Sequence, residues 1–437
     1  MNQSPAQPPF DLVIGLDRSD AKADLCLIDV LSGKRRHQTI ATAPEALATW
    51  IAKLCQAHPN ARIALALEQP AGNLIPFFEA YSWLTLYALN PMTLKKYREA
   101  FVTSRAKDDL RDADFLADLL LRHHDKLTPW APQDEKTRLI QQLVYQRRAV
   151  VDQRTALTNE LQAILKQYFP QALDLCGEDL WRPLATTFLL KWPTLQAVRK
   201  APAETVRRFY HALGSRSDRL IAKRLDRIAH AVALTDDDAL LSSFSLRVQS
   251  LCRQLQVVTR TIATYDQRIE QAFKAHPDAV FFANLPGAGP ALAPRLLVAF
   301  GSQRDRYPTR ESMQRYSGIA PVTKQSGGKC HIHRRYCCPK FLRQSFHEFA
   351  GQSILHCRWA AAFYLQLREK GAKHHTAVRA LAYKWQRIIW RCWQDETVYE
   401  DRIYEQALRR SKSPIISLFK RVEVGHNPAK EQPTKTS

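Results

Sequence analysis

The sequence predicts an α/β domain followed by long helices and a mostly helical C-terminal region. Short strand-like runs alternate with helical runs from Asp11 to His124. A stretch without Pro or Gly, residues 137–168, predicts one long helix. A second long helix is predicted by apolar residues at alternating spacings of four and three between Phe244 and Ile269.

The α/β domain is predicted from five strand-like runs. In chain order they are DLVIGLD, ADLCLIDV, KRRHQTI, ARIALALEQ and LTLYALN. Helices are predicted from Pro44 to His58, from Leu74 to Trp83 and from Met92 to His124. This alternation is typical of a sheet covered by helices.

The second long helix carries a heptad seam. Its members are Phe244, Val248, Leu251, Leu255, Val258, Ile262, Tyr265 and Ile269. Such a seam forms either an oligomerising coiled coil or an antiparallel hairpin within one chain, and the sequence favours neither. The stretch between the long helices, from Pro170 to Asp238, is predicted to be less regular.

These patterns divide the chain into five parts. They are a disordered tail (1–10), the α/β domain (11–130), a coiled-coil or helical arm (131–277), a C-terminal functional domain (278–400) and a basic, partly disordered tail (401–437).

Charge and composition limit the function classes. Lys and Arg number 64 against 42 Asp and Glu, a net charge of +22, which favours nucleic acid over the alternative of a merely basic housekeeping domain. Nine scattered cysteines do not indicate a disulfide-stapled secreted domain, and no apolar run approaches the length of a membrane span. We therefore expect a cytoplasmic protein, acting on nucleic acid, with no membrane partner.

Four acids suggest a metal site in the α/β domain. Asp17 ends the first strand, Glu68 ends the fourth, and Asp109 and Asp112 lie three residues apart on one helix face. Clustered carboxylates suit hard cations such as Mg²⁺, and two such ions roughly 3.5–4 Å apart support phosphoryl transfer. Each acid alone also has an ordinary structural explanation, but their order resembles that of the ribonuclease-H-like, RuvC-type Holliday-junction nucleases.

Two glycines and a serine mark the C-terminal domain. Gly287 and Gly289 precede a helix, which predicts either a helix-hairpin-helix phosphate grip or a plain turn. Ser326 precedes two further glycines and is predicted to be presented by a flexible basic loop, as a nucleophile toward phosphodiesters or as a turn residue. The cations flanking it, which would contact nucleic acid, are Lys324, Lys329, Arg334 and Arg335. Ser317 also precedes a glycine but has fewer basic neighbours.

The linked motifs together resemble the DEDD insertion-sequence transposases over residues 11–400. Asp17 matches the family's GLD strand, Glu68 its second acid, and Ser326 its serine after the YSGIAP turn. The segment KDDLRDADFLA (107–117) matches its KxDxxDA motif, so Asp109 and Asp112 correspond to its two acids, and Lys107 to its lysine, which is expected to contact nucleic acid. Position 108 is Asp where the family has a small hydroxyl residue, so either Asp108 or Asp109 is the ligand.

The resemblance implies a function as well as a fold. It implies a RuvC-like catalytic domain and a transposase 20 serine domain that excise and insert a mobile element. Mg²⁺ bound by the acids and a covalent serine–DNA adduct are implied, as are donor and target DNA and a guide (bridge) RNA encoded by the element. A tetramer, a dimer of dimers, is implied, in which the carboxylate site of one subunit meets the serine domain of another.

Other interpretations remain. A RuvC-like endonuclease would use the carboxylates with water as nucleophile, and a catalytically dead relative would only bind nucleic acid. Cys and His residues between 330 and 338 have donors suited to Zn²⁺, although their spacing fits no standard finger.

Overall fold

The computed structural model describes residues 9–69, 74–101, 109–326 and 329–422, and for residues 109–111 it describes the backbone alone. The chain forms two compact units, Met1–Pro132 and Gln133–Ser437. Each unit is described by itself below.

The first unit is built on a five-stranded sheet. Its strands are β1 (Leu12–Arg18), β2 (Lys22–Asp29), β3 (Arg35–Ala41), β4 (Ile63–Glu68) and β5 (Leu84–Leu89). Their order is β3-β2-β1-β4-β5, in which β1 to β3 are antiparallel neighbours and β1, β4 and β5 are parallel. The predicted ribonuclease-H-like α/β fold is confirmed.

Helices cover both faces of this sheet. They are α1 (Pro44–Ala57), α2 (Leu74–Glu79), α3 (Pro91–Phe101) and α4 (Asp109–His123). Leu12, Ile14 and Leu16 of β1 pack in the core with α1 and α2. Val13 lies in the opposite core, with α3 and α4. Because side chains alternate along a strand, β1 contributes to two separate cores.

At Gly15 the backbone of β1 lies directly against the backbone of α4. A Cβ atom at this position would lie 2.1 Å from the carbonyl oxygen of Ala113 and 2.6 Å from the backbone nitrogen of Ala117. Both are backbone atoms of α4, so no side-chain rotation can relieve the overlap. Glycine at this position therefore sets the distance between the helix and the sheet.

We expect Gly15→Ala to destabilise the first unit severely. Overpacking costs about 1–3 kcal/mol at ordinary core positions, and a clash with helix backbone belongs at or above the upper end of that range. Calorimetry should show its unfolding transition several degrees lower. Gly351→Ala is the matched control, because that glycine is helical and nothing lies within 4 Å of its added Cβ. Equal melting temperatures for the two variants would contradict the proposed role of Gly15.

The second unit contains two long helices, α5 (Glu135–Tyr168) and, after five shorter helices, α11 (Asp238–Lys274). They pack side by side in opposite directions. Arg147, in the first half of α5, pairs with Asp266, in the second half of α11. Glu160, in the second half of α5, pairs with Arg247, in the first half of α11. The heptad seam thus forms an antiparallel hairpin within one chain.

The stretch between the long helices is more regular than predicted. It folds into α6 (Ala172–Cys176), α7 (Pro183–Lys191), α8 (Leu195–Lys200), α9 (Ala203–Ala212) and α10 (Asp218–His230). These helices share a core with the loop end of the hairpin, including Leu161 and Leu251. Shortness explains most of the missed prediction, because four of the five helices have ten residues or fewer and show too few turns for a clear period.

The remaining chain packs around the other end of the hairpin. It comprises α12 (Ala279–Ala283), α13 (Gly289–Phe300), α14 (Arg310–Tyr316), β6 (Val322–Ser326), β7 (Lys329–His333), α15 (Lys340–His356), α16 (Arg358–Glu369), α17 (His374–Gln394) and α18 (Asp401–Arg410). Its core includes Ile140 and Ile269 of the hairpin together with three fully buried tryptophans, Trp359, Trp385 and Trp393.

Candidate functional site

Asp17 and Glu68 lie at one edge of the sheet of the first unit. Leu16 of β1 is paired with Leu67 of β4 in parallel register, and each acid is the next residue of its strand. The leucines belong to the core on the α1 side, so alternation directs both acids to the face that α4 covers. Both acids are half-buried.

Helix α4 begins near the same edge. Its residue Asp114 is hydrogen-bonded to His37 of β3, which lies level with the middle of β1. Asp118, one turn later in α4, is hydrogen-bonded to Arg35 of β3, which lies level with the start of β1. The helix therefore runs from the carboxyl end of β1 toward its amino end. Asp112, in the first turn of α4, accordingly lies toward the edge that carries the two strand acids.

The carboxylate of Asp112 is buried and paired. The residue is 4% exposed, and Nη1 of Arg98 in α3 donates to its two oxygens at 2.8 and 2.9 Å. Arg98 neutralises a charge that would otherwise be costly at this depth. A carboxylate has about four acceptor sites, so each oxygen can still bind a cation. Oxygen donors of this kind fit a hard divalent ion such as Mg²⁺.

The remaining predicted acids of this site are described in part. Asp109 begins α4, but its side chain lies outside the described residues, as do Lys107 and Asp108 entirely. Among the side chains that are described, no three metal donors that include Asp17, Glu68 or Asp112 lie within 4.8 Å of one another.

Sequence reasoning passed over Asp24, which faces Asp17 across the β1–β2 pair. Asp24 is 4% exposed, accepts a 2.6 Å hydrogen bond from the Thr39 hydroxyl and pairs with Lys22 at 3.3 Å. Its signal was weak, because an acid alternating with apolar residues usually faces solvent. It adds a further buried carboxylate directly beside Asp17.

A second donor group joins the middle of α4 to β2 and β3. Among the described residues, Cys26, His37 and Asp114 alone bring three donor atoms within 4.8 Å of each other. Burial, followed by the hydrogen bond to Asp114, raises the pKa of the Cys26 thiol, which keeps it protonated. Arg35 already supplies a cation, 3.5 Å from Asp114 and 2.7 Å from Asp118. A protonated thiol is a poor metal ligand, so the group fits a clamp between sheet and helix better than a metal centre.

Ser326 lies in the second unit at the tip of a two-stranded ribbon, and the predicted loop is instead strand β6 paired with β7. Ser326 is paired with Lys329, and Lys324 with His331. Alternation places all four side chains on one face of the ribbon. Nearly every residue of both strands is exposed. The serine hydroxyl is thus presented to solvent among cations.

The other predicted cations differ in their surroundings. Lys324, Lys329 and Arg334 are exposed, whereas Arg335 donates from Nε to the carbonyl oxygen of Ala320 at 3.3 Å. Arg335 therefore anchors the base of the ribbon to the preceding turn.

The two predicted phosphate-grip glycines also differ. Both have positive φ, +80° at Gly287 and +53° at Gly289. A Cβ at Gly287 would meet Gln352 and His356 of α15 at 3.0 Å, so this glycine serves close helix packing. Gly289 has nothing within 4 Å of its added Cβ and remains open to a ligand.

Ser317 and the Cys/His segment are not assembled as reactive sites in the described chain. Ser317 is fully buried, and its hydroxyl accepts a 2.7 Å hydrogen bond from Gln386. Cys330 and His331 are neighbours in β7 and so face opposite sides of the ribbon. No three donors of residues 330–338 come within 4.8 Å among the residues described.

Comparison with known proteins gives the family. A family model for transposases of the DEDD, IS110 type matches residues 14–170, and a model described as transposase, IS116/IS110/IS902 family, matches residues 280–365. The chain belongs to the IS110 family of insertion-sequence transposases. The first match covers the sheet with its acids, and the second covers the ribbon with Ser326.

The transposase also resembles individual proteins along most of its length. It is 26% identical over 344 residues to a mini-circle putative transposase for IS117 from Streptomyces coelicolor, covering 78% of this chain and 83% of that protein. It is also 25% identical over 409 residues to an insertion element IS900 uncharacterized 42 kDa protein from Mycobacterium paratuberculosis, covering 90% of this chain and 98% of that protein.

Membership of this family makes the chain a DNA-processing enzyme. Within the described residues, none of the helices combines the length and the apolar character that crossing a bilayer requires.

Proposed function

We propose that this transposase excises and inserts its element by DNA strand cleavage and exchange, using Mg²⁺-binding carboxylates and Ser326 as a covalent nucleophile. The observation that carries the proposal is the parallel register that brings Asp17 and Glu68 together at the edge toward which Asp112 lies. The exposed position of Ser326 among cations supports the second half.

In the proposed carboxylate site, Asp17, Glu68, Asp112 and Asp109 or Asp108 hold the cation. Bound there, Mg²⁺ supplies neutralising charge at the phosphoryl oxygens and lowers the pKa of coordinated oxygen. Arg98 holds the Asp112 carboxylate in place through its paired hydrogen bonds. Asp24, fixed by Thr39, adds negative charge beside Asp17 and favours a cation at this edge.

In the proposed serine step, the Ser326 hydroxyl loses its proton and bonds to the phosphorus of a DNA strand. One phosphodiester P–O bond breaks, and the leaving deoxyribose oxygen takes up a proton. Lys324 and Lys329, on the same face of the ribbon, neutralise the phosphate while charge develops. The ester conserves the bond energy, so a second DNA end can reverse the reaction and complete the exchange.

The proposed partners are donor DNA, target DNA, an element-encoded guide RNA and further copies of this chain in a tetramer. The net charge of +22 supports polyanionic partners. We expect the purified transposase to be nearly inactive until RNA and DNA are both supplied.

The test combines sequencing with an adduct assay. Nucleic acid that copurifies with the transposase should contain one discrete RNA from the flanking element. The protein is then incubated with that RNA, donor and target DNA and Mg²⁺. A denaturing gel should show DNA covalently attached to the protein, and this band should be absent when EDTA is added to the reaction. Random host RNA alone would contradict the guide, and cleavage without an adduct would favour hydrolysis by the carboxylates.

A further inference from the structure

A large cleft in the second unit adjoins the serine ribbon and has no role in the function proposed above. It encloses about 1280 Å³, above the roughly 300–1,000 Å³ of ordinary small-ligand sites. One wall is a continuous face of α17, running from Thr376 to Cys392 at spacings of three and one. Thr323 of β6 and Ile332 of β7 form part of the opposite wall.

The cleft carries positive charge that is compensated in part, since Arg310 pairs with Glu311 and Arg391 with Asp395. Five of its 23 lining residues are Arg or Lys, and one is acidic. Arg379, Lys384 and Arg387, all on α17, form no ion pair with any described acid. Burial and the nearby Arg334 and Arg343 lower the pKa of Arg379. Crowded, unpaired cations repel one another, and this repulsion would be relieved by a polyanion.

Apolar and aromatic side chains lie between these cations. Phe363, Tyr383, Tyr404 and Ile388 line the cleft, and the Lys384 ammonium lies 4.6 Å from the centre of the Phe363 ring. Aromatic faces alternating with cations suit unpaired bases joined by phosphates, whereas a duplex keeps its base faces stacked inside.

We propose that this cleft binds a single-stranded segment of DNA next to the bond that Ser326 attacks. The choice of DNA rests on the proposed function. Ser326 is three residues beyond Thr323 on β6, roughly 10 Å at about 3.3 Å per residue. Thr323 and Ile332 face the cleft from one side of the ribbon, and alternation places Ser326 on the other side, so the bound strand must leave the cleft along the edge of the ribbon to reach the hydroxyl. The cleft then holds the strand while the reaction occurs nearby.

The test measures binding of a labelled single-stranded DNA by the full-length chain. The double variant Arg379→Gln, Arg387→Gln should bind the DNA at least about tenfold more weakly. The slope of log K against log salt concentration should become shallower by about 1.4, because each lost phosphate contact contributes about 0.7 to that slope. The matched control is Arg253→Gln with Arg260→Gln, which removes two exposed arginines of α11 and should leave both quantities unchanged.

Three results would overturn the proposal. They are wild-type affinity in the α17 variant, an equal loss in the control, and a loss for RNA of the same sequence that exceeds the loss for DNA. Because a variant can misfold, wild-type protein should also be photocrosslinked to 5-iododeoxyuridine DNA, and peptides from α16 to α18 should carry the label. Labels confined to other peptides would refute the cleft.

Failure of the proposed function is distinguishable from failure of this inference. The binding assay needs no Mg²⁺, no RNA and no reaction. A wild-type chain that binds through α17 yet forms no adduct would refute the serine chemistry alone.

Discussion

Ser326→Ala is expected to abolish the covalent protein–DNA adduct and to lower strand exchange at least about 1,000-fold, the order lost when an enzyme loses its covalent nucleophile. The hydroxyl is exposed at the ribbon tip and forms no hydrogen bond with the residues that the structure describes, so its removal should not disturb the fold. The adduct band on a denaturing gel and the yield of recombinant junctions measure the two losses.

Two controls separate nucleophilic loss from loss of binding. Affinity for the DNA should stay within about twofold, because Lys324 and Lys329 are retained on the same ribbon face. Ser243→Ala removes an exposed hydroxyl from α11 and should leave the adduct intact. An adduct that persists in Ser326→Ala would assign the nucleophile to another residue.

Glu68→Gln is expected to lower Mg²⁺-dependent strand cleavage at least about 100-fold. The substitution keeps the size of the side chain but removes one negative charge from the sheet edge that also carries Asp17. A catalytic metal contributes several kcal/mol of charge stabilisation in the transition state, and weaker binding of it reduces the rate accordingly. Initial cleavage rates over a Mg²⁺ titration should show both a lower maximum and a higher half-saturating concentration.

The matched control for this substitution is Glu45→Gln. Glu45 is an exposed acid in the first turn of α1, which covers the face of the sheet opposite to the one that Glu68 faces. Its loss should leave cleavage unchanged and stability reduced by less than about 1 kcal/mol. Strand exchange that survives Glu68→Gln at wild-type rate would remove the carboxylates from the mechanism.

Local patterns were sufficient to predict most of the fold. The five strands and both long helices have clear local patterns, and each is present close to its predicted position. The seam from Phe244 to Ile269 predicted a helix pairing but not its partner, because an apolar stripe is the same whichever helix covers it. The short helices α6 to α10 were missed since their apolar residues are shared among five elements around one core.

The candidate site was predictable only where strand ends carry it. Asp17 and Glu68 follow from strand order, because parallel neighbours end at the same edge. Asp24 was missed, since its cross-strand position depends on the register of β1 and β2. The pairing of Arg98 with Asp112 and the cleft along α17 depend on how separate helices pack. No local pattern encodes such contacts.

The antiparallel hairpin of α5 and α11 makes the spacing between two helical cores adjustable. One core surrounds Leu161 and Leu251, the other surrounds Ile140 and Ile269, and α11 extends about 55 Å to reach both. Suppose that seven residues were inserted into each helix between the two cores. The insertion adds about two helical turns, so it would move the cores apart by about 10 Å and rotate one core relative to the other by only about 20°. The distance between the two cores can therefore differ among related proteins by whole heptads while the residues within each core stay the same.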